Sequence, residues 1–175
     1  MMKDSWKEFK NTRSLTTMAL LMALTIVLGY FTIQIGDFLK IGFAGLPHQL
    51  VSILFGPAAG AVFGGLADIL KFIIKPTGAF FPGFTISGIV SGLIYGAILY
   101  KKPLKLSRLI VANVVVTVIV NMIMNTYWLT LLYGKGFFVI LPGRVVKEVV
   151  MCGITIVLMY ALCGTMKAVE AHRNA

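Results

Sequence analysis

An all-α membrane protein with six transmembrane helices and both termini cytoplasmic is predicted by three features of this sequence. Of its 175 residues, 58% are hydrophobic and 13% charged. The apolar residues gather into runs of about twenty, the length that crosses a hydrocarbon core of roughly 30 Å as a helix. The charges lie in the gaps between those runs. A soluble domain of this size must cover its outside with polar groups, and this composition leaves too few to do so. The net charge of +10 is spread among the connections rather than gathered on one basic face, which is a mark of membrane topology and not of nucleic-acid binding. The whole chain, 1–175, reads as one integral membrane domain.

The elements follow in order. Residues 1–13, MMKDSWKEFKNTR, form a basic tail. The apolar run behind it has no small-residue cleavage site, so it is a span and not a leader. That first span covers about 15–35 and carries a small-xxx-small step, Ala19 and Ala23. A polar break with Gln34, Asp37 and Lys40 follows. The apolar piece 45–55 is stopped by Gly56 and Pro57 and is too short to cross without help from the preceding loop. Further spans are expected at 58–74, 83–100, 109–132 and 145–166, with a second tail at 167–175. Of the 16 Lys and Arg residues, ten fall on the side of the two tails and six on the other. The positive-inside rule makes the tails cytoplasmic.

Ionisable groups inside a span cost roughly 2.5–3.5 kcal/mol each, so each needs a reason. Asp68, Lys71 and Lys75 recur at helical spacing on one face. An internal Asp68–Lys71 pair would explain two of them; Lys75, opening the next loop, is better placed to meet a ligand. Asn113, Thr117, Asn121 and Asn125 recur every four residues and lead to Trp128. Amides facing lipid would lack partners, so this stripe should look inward, either bonding between helices or reaching a ligand. Trp128 fits a pocket wall or an interfacial belt. Arg144, Lys147 and Glu148 head the last span. With Lys71, Lys75 and Asp68 they leave a local excess of two positive charges, a balance that favours a small organic anion. Phe84 and Thr85 open the fourth span, and Ser87, Gly88, Ser91, Gly92 and Tyr95 continue it with packing spacing. The loop ahead of it, KPTGAFFPGFT, is stiffened by Pro76 and Pro82 and carries Lys75, Phe80, Phe81 and Phe84, which suits a lid over a flat, charged ligand.

No phosphate-binding G-x-x-x-x-G-K-[ST] loop and no dinucleotide fingerprint occurs, so the chain hydrolyses no ATP by that route. The halves show no obvious inverted repeat, which counts against an ordinary secondary transporter. Cys152 and Cys163 lie roughly 16 Å apart on one helix, too far to bridge. Two histidines make a metal cluster improbable on numbers alone.

The stretch IGFAGLPHQLVSILFGPAAGAVFGGLADIL (41–70) and the Ala19–Ala23 step resemble the substrate-binding S components of energy-coupling factor (ECF) vitamin transporters. KPTGAFFPGFT, GLIYG and NTYWLTLLYGKGFFVILPGRVVKEVV are similar to the folate-specific branch. The resemblance implies a bacterial plasma-membrane protein that is no enzyme, uses no cofactor and captures folate from outside with high affinity. It implies delivery through a separate membrane coupling subunit driven by two cytoplasmic ATPase subunits, with Ala19 and Ala23 docking on the coupling subunit. The expected ligand-binding residues are then Phe80, Phe81, Phe84 and Trp128 around the flat rings, with Thr85 beside them as a further candidate. Asn121, Asn125 and Asp68 would meet the pterin edge and Lys75, Arg144 and Lys147 the glutamate tail, with Lys71 a further ligand-binding candidate. Rival readings are an S component for riboflavin, thiamine or biotin, and a small ion-coupled transporter with Asp68 and Lys71 in the ion path.

Overall fold

The computed structural model describes residues 2–35, 39–76, 79–103, 105–134 and 136–173. Asp37 and Lys135 lie outside the described residues. A short helix, α1 (Met2–Lys7), and a 3-10 turn (Glu8–Lys10) precede α2 (Thr12–Tyr30). Asn11 caps α2, its side chain accepting from the Arg13 N–H at 3.0 Å, the usual use of an asparagine at that position. α2 ends at Tyr30, earlier than the predicted span. The alternating segment beyond it leaves the helix to form β1 (Ile33–Ile35), antiparallel to β2 (Leu39–Ile41), with Gln34 opposite Lys40. β-branched residues favour that extended pairing.

α3 (Gly45–Ile74) breaks at Gly56, whose φ of 90° and ψ of −175° lie outside the helical region. The two arms, 45–55 and 57–74, fold back on one another. His48 Nε2 donates to the Gly60 carbonyl at 3.0 Å, and the His48 ring stacks on Phe63 at 5.8 Å. Pro57 starts the second arm, where its missing N–H is not needed. The predicted short second span is thus the first arm of this hairpin. α4 (Pro82–Leu99), α5 (Leu106–Val116), a π-helical segment (Thr117–Met124), α6 (Asn125–Tyr133) and α7 (Phe137–Arg173) follow. α5, the π segment and α6 form one continuous apolar rod, 106–133. Among the described residues, five helices are long and apolar enough to cross a membrane, the 30-residue α3 among them. α7 begins earlier than predicted because Pro142 is accommodated near its start instead of ending the preceding turn.

The second arm of α3 and α4 touch backbone to backbone. A methyl group added at Gly64 would strike the Gly88 carbonyl, and one at Gly92 the Gly60 carbonyl. These glycines let the helices approach, the packing role that small residues serve in bilayers. Gly64→Leu is expected to lower thermal stability in detergent by about 3 kcal/mol, the upper end for overpacking, because backbone cannot swing aside. An unchanged melting temperature would show that the contact is not needed. A separate cluster of Ile53, Leu99, Leu109, Ala112, Met159 and Cys163 joins the first arm, α4, α5 and α7.

α1 packs at the Gly56 turn. Ser5 is fully buried; its Oγ donates to the Phe55 carbonyl at 2.6 Å and accepts from the Ala59 N–H at 3.0 Å. α2 therefore rises from this end, the hairpin arms descend to it and return, and α7 descends to it again. The cavity described next lies at the opposite end.

Candidate functional site

An outer cavity of about 380 Å³ opens among the ends of α2, α3, α6 and α7. A second, of about 300 Å³, continues inward from it between α3, α4, α5 and α7. The two share Asp68, Lys71, Phe84, Asn121, Asn125, Lys147 and Glu148, which form a charged waist. Outside the waist the wall is aromatic, with Tyr30, Phe72, Phe80, Phe81 and Tyr133. Inside it the wall is polar but largely uncharged, with His48, Ser91, Tyr95, Asn113 and Thr117.

The backbone arranges this. Asp68, Lys71 and Lys75 fall on the last turns of α3, facing α2. The asparagine stripe needs the π segment. In an α-helix, residues four apart advance slightly more than a full turn, so a four-residue repeat drifts. A π turn is wider and drifts the other way. Joined, the two hold Asn113, Thr117, Asn121 and Asn125 on one wall, and all four line the inner cavity.

Hydrogen bonds set the side chains. Tyr95 donates to Asn113 Oδ1 at 3.2 Å, and Asn125 Nδ2 to Asn121 Oδ1 at 3.2 Å. Asn125 Oδ1 is buried with no partner among the described residues, an acceptor left for a donor from elsewhere. Arg144 donates to the Asn121 carbonyl at 3.1 Å and pairs with Glu148 at 3.4 Å. Lys147 pairs with the same Glu148 oxygen at 2.7 Å. Lys75 donates to the Tyr30 carbonyl at 2.6 Å and lies over the Tyr30 ring, 4.9 Å from its centroid. Phe81 meets Phe84 edge to face at 6.2 Å.

Lys75, Phe80, Phe81, Phe84, Asn121, Asn125, Arg144, Lys147, Asp68 and Lys71 thus share one wall. Thr85 and Trp128 do not reach it. The Thr85 hydroxyl is occupied in holding Asp68 Oδ2 at 2.8 Å. Trp128 stands behind Phe81, 5.7 Å away, and donates its indole N–H to Ser87 at 3.1 Å. No ion pair joins Asp68 to Lys71 among the described residues, which corrects the expected internal pair. Of the residues the sequence reading passed over, His48 is the clearest. A titratable ring inside an apolar arm is the same signal that singled out Asp68. Tyr30 gave no signal, because its role depends on a lysine 45 positions away. Ala19 and Ala23 line neither cavity and are exposed on α2.

Comparison with known proteins gives four findings. Residues 13–163 match the family described as "ECF transporter, substrate-specific component". The chain is 36% identical to "Folate transporter FolT" of Clostridium novyi (strain NT), over 92% of each chain. It is 32% identical to "Folate transporter FolT" of Leuconostoc mesenteroides, over 87% of this chain and 85% of that one. Among solved structures it resembles "Crystal structure of FolT bound with folic acid" with a TM-score of 0.80 and 34% identity. That likeness covers 87% of this chain and 93% of the other.

Proposed function

The chain belongs to the family of ECF transporter substrate-specific components, and from that premise we propose that it is the folate-binding component of a bacterial ECF importer. It is a multi-pass protein of the bacterial plasma membrane. It takes folate into the cavity on the outer face and delivers it through a coupling subunit and two ATPase subunits. The observation that carries the reading is the likeness, in sequence and in shape, to a FolT chain bound with folic acid.

The cavity chemistry agrees. Its two compartments suit an elongated ligand. The inner one offers hydroxyl, amide and imidazole groups to a neutral heterocycle edge, and Asn125 Oδ1 can accept one of its N–H donors. The aromatic outer wall suits the aminobenzoyl ring. Four cations against two carboxylates on that wall leave room for a tail with two negative charges. With the α1 end cytoplasmic, as the basic residues require, the cavity faces out. Asp68 and Lys71 belong to this wall, which leaves the ion-path reading without separate support.

Folate titrated into the purified chain is expected to quench its tryptophan fluorescence at nanomolar concentrations. Only Trp6 and Trp128 contribute, and Trp128 packs on a cavity-lining ring. Trp128→Phe should therefore remove most of the response while calorimetric binding persists. Quenching by riboflavin, thiamine or biotin but not by folate would overturn the vitamin assignment.

A further inference from the structure

The four cations of the cavity wall are not equivalent. Glu148 Oε1 receives Lys147 at 2.7 Å and Arg144 at 3.4 Å, and Arg144 also holds the Asn121 carbonyl. Both cations are thus bonded to one carboxylate, and the trio keeps one net positive charge. The Lys71 ammonium, by contrast, forms no hydrogen bond and no ion pair among the described residues. The nearest carboxylate on its own helix, Asp68, accepts from Thr85. Lys75 rests on a neutral carbonyl, that of Tyr30, at 2.6 Å. Lys71 and Lys75 are therefore the two cations of the wall whose ammonium groups are not bonded to a carboxylate.

The last turn of α2 seats both. A methyl group placed on Gly29 would come within 3.2 Å of Lys71 Cδ and 3.3 Å of its Cγ, so the lysine stem runs directly over the bare Gly29 backbone. One residue on, the Tyr30 carbonyl takes the Lys75 ammonium. Carbonyls at a helix C-terminus lack intrahelical partners and carry the negative end of the helix dipole, which draws cations to them. Lys71 and Lys75 are four apart and share one face of α3. Lys71 borders both compartments and Lys75 only the outer one.

We propose that Lys71 and Lys75, seated on Gly29 and Tyr30, are the anion receptor of this site and take the two carboxylates of the ligand's tail. Arg144, Glu148 and Lys147 form a mutually bonded frame near the start of α7. Gly29 and Tyr30 are positioning residues that act through the lysines. This inference rests on the folate reading, and of the expected tail partners Lys75, Arg144 and Lys147 it keeps Lys75 and adds Lys71.

The test measures calorimetric Kd values of the full-length purified chain for two probes. One is folic acid; the other is its diamide, in which both tail carboxylates are primary amides of nearly the same size. The unaltered chain should prefer folic acid. Lys71→Gln and Lys75→Gln should each weaken folic acid about 10- to 100-fold, the range for a lost charge-assisted hydrogen bond, and leave the diamide nearly unchanged. Lys71→Arg should keep most of the preference. Gly29→Ala, which crowds the Lys71 stem without altering charge, should reduce the preference while diamide binding persists. Arg144→Gln should weaken both probes alike, because it strips a partner from buried Glu148.

A preference that survives both glutamine variants, or that disappears in Arg144→Gln alone, would overturn the assignment. So would an unaltered chain that binds the two probes equally. A Gly29→Ala chain with its full preference would overturn the seating on α2. If the unaltered chain binds neither probe, the folate reading itself falls, and that result is distinct from loss of preference.

Discussion

Uptake is expected to fall to background when Ala19 and Ala23 are both replaced by tryptophan, while folate binding by the isolated chain stays unchanged. The two alanines lie four apart on one face of α2 and are exposed. The buried residues of α2, Ser14, Met18 and Thr25, lie elsewhere on the helix. Alanine on a lipid-facing helix contributes little to packing in the free chain. It does leave a shallow track along which another helix can approach closely, and such approach drives helix association in bilayers. Two indole side chains would hold a partner helix away. The cavity starts further along α2, at Thr25 and Ile26, so its shape should not change. Calorimetry on the isolated chain, co-purification with the coupling subunit and cellular uptake separate the outcomes. Retained uptake would remove the docking role. Lost folate binding would show that the substitutions damage the fold. Glycine at both positions keeps the track and should preserve uptake.

How much of this was legible in the sequence depends on the reach of each interaction. The apolar runs and the Gly56–Pro57 break are local patterns, and they reappear as helices and as the hairpin turn, although α2 already ends at Tyr30 and α7 already starts at Phe137. The asparagine stripe was legible as an inward face, but an unbroken α-helix would let it drift. The π segment that holds it together has no composition signal of its own. Glu148 sits four residues from Arg144 and one from Lys147, so their pairing is local. The seating of Lys75 on Tyr30 joins residues 45 apart and has no trace in either neighbourhood. Trp128 misled for a related reason. Its distance from the wall is set by Phe81 and Ser87, on a loop and helix that the stripe says nothing about. The N-terminal segment reads as a basic cytoplasmic tail, yet Ser5 enters the fold through partners 50 and 54 positions away.

That last contact carries the second large expected effect. At the start of a helix, a Ser side chain commonly accepts from the N–H three residues in. The second arm of α3 starts after Gly56, which has no side chain to offer. Ser5 of α1 supplies the missing acceptor to Ala59, and it donates to the last carbonyl of the first arm. Ser5→Ala should therefore lower stability by about 1–3 kcal/mol, the cost of leaving buried backbone groups unpaired. Gly56→Ala should cost more, about 3 kcal/mol or beyond, from two sources. Its φ of 90° with ψ of −175° is a region that glycine almost alone occupies. In addition, the new methyl would meet Ser5 Cβ and Oγ at 3.0 Å and Tyr100 Cδ1 at 3.1 Å. Thermal unfolding of Gly56→Ala in a Ser5→Gly background tells the two apart. Removing the Ser5 side chain relieves its steric contacts but leaves the backbone strain. Because strain should dominate, the double variant is expected to be no more stable than Gly56→Ala alone. Substantial rescue would make crowding by α1 the controlling factor, and the turn would then be set by the N-terminal helix more than by its own glycine.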